Sequence, residues 1–98
     1  MNMAQIIIDS KAITPYGWTF KVTVYDDIGE TKHSVTVAED YYKKLTQGKI
    51  TPEELIKNSF EYLLSREPKE SIFGQFVLPT LHQYFPDYET SMRFKSAD

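Results

Sequence analysis

The sequence predicts an α+β fold: a three-stranded antiparallel meander covered on one face by two helices and a short C-terminal helical segment. Two observations lead to this prediction. Apolar and polar residues alternate over much of the chain up to Ala38, whereas apolar residues recur at helical spacing beyond it. The length of 98 residues allows one hydrophobic core. We therefore expect a single α+β domain over residues 1–88 and a flexible polar tail over residues 89–98, where no periodicity is visible.

The first predicted strand covers residues 5–13, is rich in β-branched residues and ends in the turn sequence TPYG. Proline at the second and glycine at the fourth position of that sequence suit a type I turn. Alternation places Ile6 and Ile8 toward the core and leaves Ile7 and Ile13 on the opposite face. We expect an edge strand, and an exposed edge of this kind is one route to self-association.

The next two strands are predicted to form a hairpin. Its apolar face combines even-numbered residues of one strand with odd-numbered residues of the other, so the loop between them must have an even length. A two-residue loop at Ile28-Gly29 would set Asp27 against Glu30, which carry like charges, so we favour a four-residue loop over residues 27–30. The resulting register places Val22 opposite Val35, Phe20 opposite Val37 and Val24 opposite His33.

Helices are predicted in the second half of the chain. The first covers residues 38–47, with acidic residues in its first turn and Gly48 directly after it. The second begins at Thr51-Pro52-Glu53-Glu54, which offers an N-cap, a proline at the first helical position and a capping-box glutamate, and it ends before Pro68. Beyond it, residues 69–74 allow one helical turn and residues 78–85 allow two.

The periodicities together predict the hydrophobic core. We expect its members to come from both the strands and the helices, with Phe60 near its centre. The predicted core residues are Ile6, Ile8, Trp18, Phe20, Val22, Val24, Val35, Val37, Tyr41, Leu45, Leu55, Ile56, Phe60, Leu63, Leu64, Leu81 and Phe85.

No residue pattern predicts catalysis, a cofactor or a metal site. The chain has no cysteine, which excludes disulfides, thiolate metal ligands and a cysteine nucleophile, and its glycines form no phosphate-binding motif. His33 and His82 lack metal-ligand spacing, so we interpret both as structural residues. A third possibility is an enzymatic or small-molecule role at a cleft near His33, Tyr41 and His82, which is supported only by the presence of titratable groups. We predict a protein that is not an enzyme.

The net charge of −3 gives little support for coating nucleic acid or an anionic membrane. The start of the chain lacks a basic region, and its apolar run at Ile6–Ile8 ends at Asp9, so neither a signal peptide nor a membrane span is predicted. We expect a cytoplasmic location.

Aromatic residues make up 14% of the chain, and several of them are concentrated just before the predicted tail. Tyr84, Pro86 and Tyr88 form a candidate partner-binding patch, because clustered aromatic side chains dominate protein interfaces. The alternative is structural: the same segment folds back as an aromatic clasp that covers the sheet. Composition does not separate these two interpretations.

The stretch VTVAEDYYKKLTQGKITPEELIKNSFEYLLSRE resembles the ribbon-helix-helix family of DNA-binding repressors and antitoxins, with a strand, a helix, a polar cap and a second amphipathic helix. In that family, strands of two subunits pair in the major groove and alternate residues contact base edges. The resemblance implies Lys32, Ser34 and Thr36 as DNA-binding residues.

The stretches SFEYLLSREPKESI and LPTLHQYFPDYE are similar to a small family of uncharacterised bacterial proteins of about this length, from which no activity can be transferred. The leading functional hypothesis is a non-enzymatic cytoplasmic module that binds another protein or itself. The alternative is a ribbon-helix-helix-like DNA-binding repressor or antitoxin, with nucleic acid as its partner.

Overall fold

Four strands form one sheet in the computed structural model, which describes residues 4–97. The strands β1 (Gln5–Ile13), β2 (Gly17–Tyr25) and β3 (Glu30–Ala38) make an antiparallel meander, and β4 (Gln75–Val77) pairs parallel to β3. The helices are α1 (Glu39–Thr46), α2 (Pro52–Leu64), α3 (Thr80–Tyr84) and α4 (Tyr88–Ser96), with a 3₁₀ turn at Lys69–Ser71. The predicted α+β class is confirmed. The prediction of three antiparallel strands is wrong, because a fourth, parallel strand completes the sheet.

The additional strand, β4, is anchored at both of its ends by backbone hydrogen bonds to β3. The Ser34 N–H donates to the Gly74 carbonyl over 2.8 Å, and the Leu78 N–H donates to the Thr36 carbonyl over 2.9 Å. Only Phe76, its central residue, is buried. A strand of three residues is too short to show an alternating pattern, so periodicity in the sequence does not reveal it.

The β2–β3 hairpin has the predicted even, four-residue loop, but the loop spans residues 26–29 instead of 27–30. Tyr25 therefore lies opposite Glu30, Phe20 opposite Val35 and Val22 opposite His33, so the predicted register is wrong. The reason is the side chain of Asp26, whose Oδ1 accepts hydrogen bonds from the backbone N–H groups of Ile28 and Gly29, at 2.9 and 3.3 Å. This Asx turn makes Asp26 part of the loop.

A β-bulge at Asp9 divides β1. Ile8 lies opposite Val22 and Ser10 lies opposite Lys21, so the bulged strand contains one extra residue. Ile7 faces the open side of the sheet, as predicted. Ile13, paired with Trp18, belongs to the helix-covered side, which corrects the prediction that it shares a face with Ile7. The extra residue shifts the alternation by one position.

The N-terminus of α2 forms the predicted capping box. The Glu54 N–H donates to Thr51 Oγ1 over 3.1 Å, and the Thr51 N–H donates to Glu54 Oε1 over 2.8 Å, with Pro52 at the first helical position. The apolar stripe of α2 packs against the sheet, and Leu55, Phe60 and most of its other members are fully buried. This helix therefore provides much of the cover for the core.

The C-terminal residues form α4, where a flexible polar tail was expected. Tyr88, Met92 and Ser96 recur at a spacing of four residues and are all buried. The Ser96 hydroxyl donates to the Met92 carbonyl over 2.8 Å, which allows a polar side chain to lie inside. Because Met92 is the only aliphatic residue of this stripe, the helical period is hidden among polar residues. The domain therefore continues beyond residue 88.

The core lies between the sheet and the helices. Among the predicted members, Ile6, Ile8, Trp18, Tyr41, Leu64 and Phe85 are only partly buried at its border, and the others are buried. The buried hydrophobic residues that the prediction missed are Tyr42, Tyr62, Ile72, Phe76, Leu78, Tyr88 and Met92.

Candidate protein-binding site

The predicted C-terminal aromatic patch is divided by the fold. Tyr84 is 62% exposed and Pro86 is exposed, but Tyr88 is fully buried. The Tyr88 hydroxyl lies 2.7 Å from the Ser59 hydroxyl of α2, which itself donates to the Leu55 carbonyl over 2.8 Å. Tyr88 is therefore a core residue, and its prediction as a partner-binding residue is wrong.

The exposed Tyr84 packs against Phe73, with ring centroids 5.4 Å apart. The two rings border an apolar cavity of about 70 Å³, lined also by Leu63, Ile72 and Leu81. Pockets that bind small molecules are usually larger, roughly 300–1,000 Å³. The cavity is thus too small for a typical ligand, although Tyr84 and Pro86 both remain exposed.

The segment around Pro86 is fixed to α2. The Tyr62 hydroxyl donates to the Asp87 carboxylate, and Arg66 contacts the same carboxylate over 2.8 Å while lying 3.8 Å above the Tyr62 ring. Burial, together with the hydrogen bond to Asp87, raises the pKa of Tyr62 to about 12. These contacts hold the start of α4 in place and support the clasp interpretation of this segment.

Lys32, Ser34 and Thr36 lie on the open face of the sheet, as alternate residues of β3. The Lys32 ammonium donates to Thr23 Oγ1 over 3.1 Å and lies 3.4 Å from a Glu30 carboxylate oxygen. The ribbon-helix-helix arrangement requires this strand to pair with a second subunit. Because β3 lies between β2 and β4, it has no free edge for that pairing.

His33 is a buried structural residue, as predicted. Its Nδ1 lies 2.7 Å from the Phe73 carbonyl, which can only accept, so Nδ1 carries the proton. Its Nε2 is then free to accept from the Thr31 hydroxyl over 2.8 Å. Tyr41 donates instead to Glu89 over 2.8 Å, and His82 is exposed. His33 and Tyr41 therefore have separate hydrogen-bond partners, Phe73 and Thr31 for the one and Glu89 for the other.

Sequence reasoning missed a buried lysine. Lys69 is 3% exposed, and its ammonium lies 2.6 Å from Glu70 Oε2 and 2.9 Å from Asp26 Oδ1. Hydrogen bonds to Glu70 and then Asp26 raise the pKa of Lys69, and the bond from Lys69 lowers the pKa of Asp26. The two ion pairs hold Lys69 against Asp26, so this lysine fixes the β2–β3 loop. No local pattern in the sequence predicts the contact between Lys69 and Asp26, which are distant in the chain.

The outer edge of β1 carries unpaired backbone groups. The Asp26 N–H donates to the Gly29 carbonyl over 3.0 Å, so these two residues form a hydrogen-bonded pair. Hydrogen-bonded and non-hydrogen-bonded pairs therefore alternate along the β2–β3 ladder from this pair onward. Along β2, Val22 and Val24 then point their backbone groups toward β3, and Thr23 points toward β1. Ile7 bonds to Thr23, whereas Ile6 and Ile8 direct their N–H and C=O groups away from the sheet. No other described strand lies beyond β1.

A groove of about 510 Å³ lies between β1 and α2. Its apolar lining includes Ala4, Ile6 and Leu64, which pack partly against the core. Its charged lining consists of Lys57 and Glu61, both exposed and one helical turn apart. Neither of the two has an ion-pair partner within residues 4–97. The edge thus combines unpaired backbone groups, apolar surface and free charges.

Comparisons of the chain with protein-family models, with curated proteins and with solved structures found no match. Both resemblances suggested by the sequence therefore stay predictions. Within the described part of the chain, no group of three or more histidine or acidic side chains is placed to hold a metal ion. No helix of residues 4–97 is long and apolar enough to cross a membrane.

Proposed function

We propose that this chain is a non-enzymatic, cytoplasmic protein-binding module whose partner adds a strand to the outer edge of β1. The outward N–H and C=O groups of Ile6 and Ile8 carry this proposal. They form the template that an extended partner strand requires, and pairing gives such a strand affinity through main-chain hydrogen bonds. The apolar groove beside α2 supports it, because side chains of the added strand can pack there.

The two edges of the sheet differ in how well they can accept a strand. β1 has nine residues, whereas β4 has three and is followed closely by α3. Long exposed edges pair readily with other chains, and short edge strands are a common protection against such pairing. The proposal therefore assigns binding to β1.

The alternative function is DNA binding by Lys32, Ser34 and Thr36. It has less support, because β3 lacks a free edge and Lys32 has an acidic neighbour, Glu30. A gel-shift experiment with the DNA upstream of the gene tests it. A salt-sensitive shift at micromolar protein would favour the alternative.

The proposed function is tested with a proline at Ile8, because proline removes one outward N–H without breaking the β1–β2 ladder. Ile8→Ala is the matched control, since it loses the side chain and keeps the N–H. The probe is a panel of extended peptides of about seven residues, including the sequence of residues 4–10. NMR of the labelled full chain reports binding.

We expect at least one peptide to shift the amide signals of β1 and of the groove-lining turn of α2. The Ile8→Pro variant should stay folded and lose this response, while Ile8→Ala retains it. The proposal is wrong if no peptide perturbs β1, or if Ile8→Pro binds as well as Ile8→Ala.

A further inference from the structure

We propose that the partner at this edge is a second copy of the chain, bound through an antiparallel pair of β1 strands centred on Ile7. This inference rests on the proposed function, because it specifies the occupant of the same edge. A twofold axis at Ile7 places Ile6 of one copy opposite Ile8 of the other. Both residues direct their backbone groups outward, so each such pair exchanges two N–H···O=C hydrogen bonds.

The side chains agree with this register on both faces of the sheet. Ile6 and Ile8 lie on the helix-covered side, where both are half-buried, so pairing them across the axis covers their remaining exposed surface. On the open side, Ile7 is 41% exposed and meets Ile7 of the second copy. Apolar residues therefore contact apolar residues on each face.

The charges of α2 are self-complementary about the same axis. Lys11 Nζ lies 2.8 Å from Glu53 Oε2, and the groove brings the start of β1 beside the C-terminal half of α2, from Lys57 to Leu64. The helix thus runs antiparallel to β1. Because of the bulge at Asp9, Lys11 and Ile7 are only three steps apart along the ladder, about 10 Å at the usual rise of about 3.3 Å per residue. At about 1.5 Å per helix residue, Ile7 therefore lies roughly level with the turn between Lys57 and Glu61. The axis then brings each Lys57 toward Glu61 of the other copy.

Charge exchange across the axis tests this arrangement. Lys57→Glu would face Glu61 of the second copy, and Glu61→Lys would face its Lys57, so each single variant should weaken the dimer by about tenfold. The double variant Lys57→Glu/Glu61→Lys restores opposite charges at both pairs and should dimerise like the original chain. Sedimentation velocity over about 10 µM to 1 mM protein measures the dissociation constants.

Mixing the two single variants provides a second rescue. A heterodimer of Lys57→Glu with Glu61→Lys has opposite charges at both pairs, so the mixture should dimerise more strongly than either variant alone. Both residues are exposed in the monomer, so we expect all variants to stay folded. Failure of both the double variant and the mixture to restore the dimer would contradict the proposed contact between the α2 helices.

Disulfide trapping tests the register itself. The chain has no cysteine, so Ile7→Cys introduces a single thiol. Opposite residues at a non-hydrogen-bonded position have Cα atoms about 4.5 Å apart, within the range of disulfides. Ile13→Cys is the control, because Ile13 is 83% exposed and is more accessible to random collision. We expect oxidation to link Ile7→Cys into a covalent dimer much faster than Ile13→Cys.

Equal or faster linking of Ile13→Cys would contradict the register. A chain that stays monomeric up to about 1 mM would contradict the choice of a second copy as partner. In both cases, peptide binding that Ile8→Pro abolishes would still support the proposed function. If no peptide perturbs β1 of the original chain while the chain still dimerises, self-association lies elsewhere on the surface, and both proposals are contradicted.

Discussion

The sequence offers two candidate contact surfaces, the C-terminal aromatic segment and β1. The fold buries much of the first and leaves the outer edge of the second exposed. Tyr88 and Met92 of α4 are completely buried. Ile7 remains exposed, and Ile6 and Ile8 of β1 keep unpaired backbone groups. The difference shows that aromatic content identifies residues with much area to bury, whether in a core or an interface. An unpaired edge of a sheet is the more specific sign of a place where another chain can bind.

The contacts of α4 explain why its region belongs to the core. Glu89 accepts a hydrogen bond from Tyr41 over 2.8 Å and lies 3.5 Å from Lys44, which ties α4 to α1. The hydroxyl of Tyr88 reaches Ser59 of α2. In contrast, β1 is bonded to the rest of the sheet along one side only. The helix therefore contributes to stability, and the edge is the proposed site of association.

Deletion of residues 89–98 is expected to have the largest effect. It removes Met92 from the core, and the loss of a fully buried methionine side chain alone costs about 2–5 kcal/mol of the free energy of unfolding. For a small domain this is a large part of the total, so we expect loss of cooperative thermal unfolding. Deletion of residues 97–98 is the control. A nearly unchanged melting temperature after the longer deletion would show that α4 is a dispensable tail.

Met92→Ala and Phe94→Ala compare two hydrophobic residues of the same helix. Met92 is fully buried, so its replacement should lower the free energy of unfolding by about 2–5 kcal/mol. Phe94 is 83% exposed, and its replacement should change that free energy by less than about 0.5 kcal/mol. Urea titration measures both. Equal effects would mean that α4 packs through a different face.

Alkaline pH should weaken the attachment of the C-terminal segment to α2. The pKa of Tyr62 is raised from 10.0 to about 12, first by burial and then by its bond to Asp87. Folding therefore favours the neutral hydroxyl. The stability that the neutral Tyr62 hydroxyl contributes to the folded state is fully present below about pH 10 and is lost as the pH rises through about 12. In urea titrations from neutral to alkaline pH, we expect a shallower loss of stability for Tyr62→Phe. An identical pH dependence would contradict this role of Tyr62.

Local signals in the sequence predicted much of the fold. The Thr51–Glu54 capping box, the apolar stripe of α2 and the alternation of β2 and β3 each depend on residues close in the chain. The edge position of β1 also followed from its place at the start of a meander. These features could be predicted because hydrophobic period and helix capping act over a few residues.

The remaining features depend on contacts between distant residues. Lys69 contacts Asp26, 43 positions away in the sequence, and fixes the hairpin loop whose position the charge argument predicted wrongly. The bulge at Asp9 and the three-residue β4 are too short to alter a periodic pattern visibly. The candidate site was predicted in part, since β1 was expected to be exposed. The groove beside α2 required the three-dimensional placement of Lys57 and Glu61.

Hydrogen exchange of three adjacent amides tests most directly whether β1 is an open edge that a second copy pairs with. In dilute protein, the Ile7 amide, which bonds to Thr23, should exchange slowly, while the Ile6 and Ile8 amides exchange fast. At high protein concentration, the Ile6 and Ile8 amides should become protected, and Ile7 should change little. Ile6 and Ile8 amides that exchange at the same rate at every concentration would contradict pairing of β1 with a second copy.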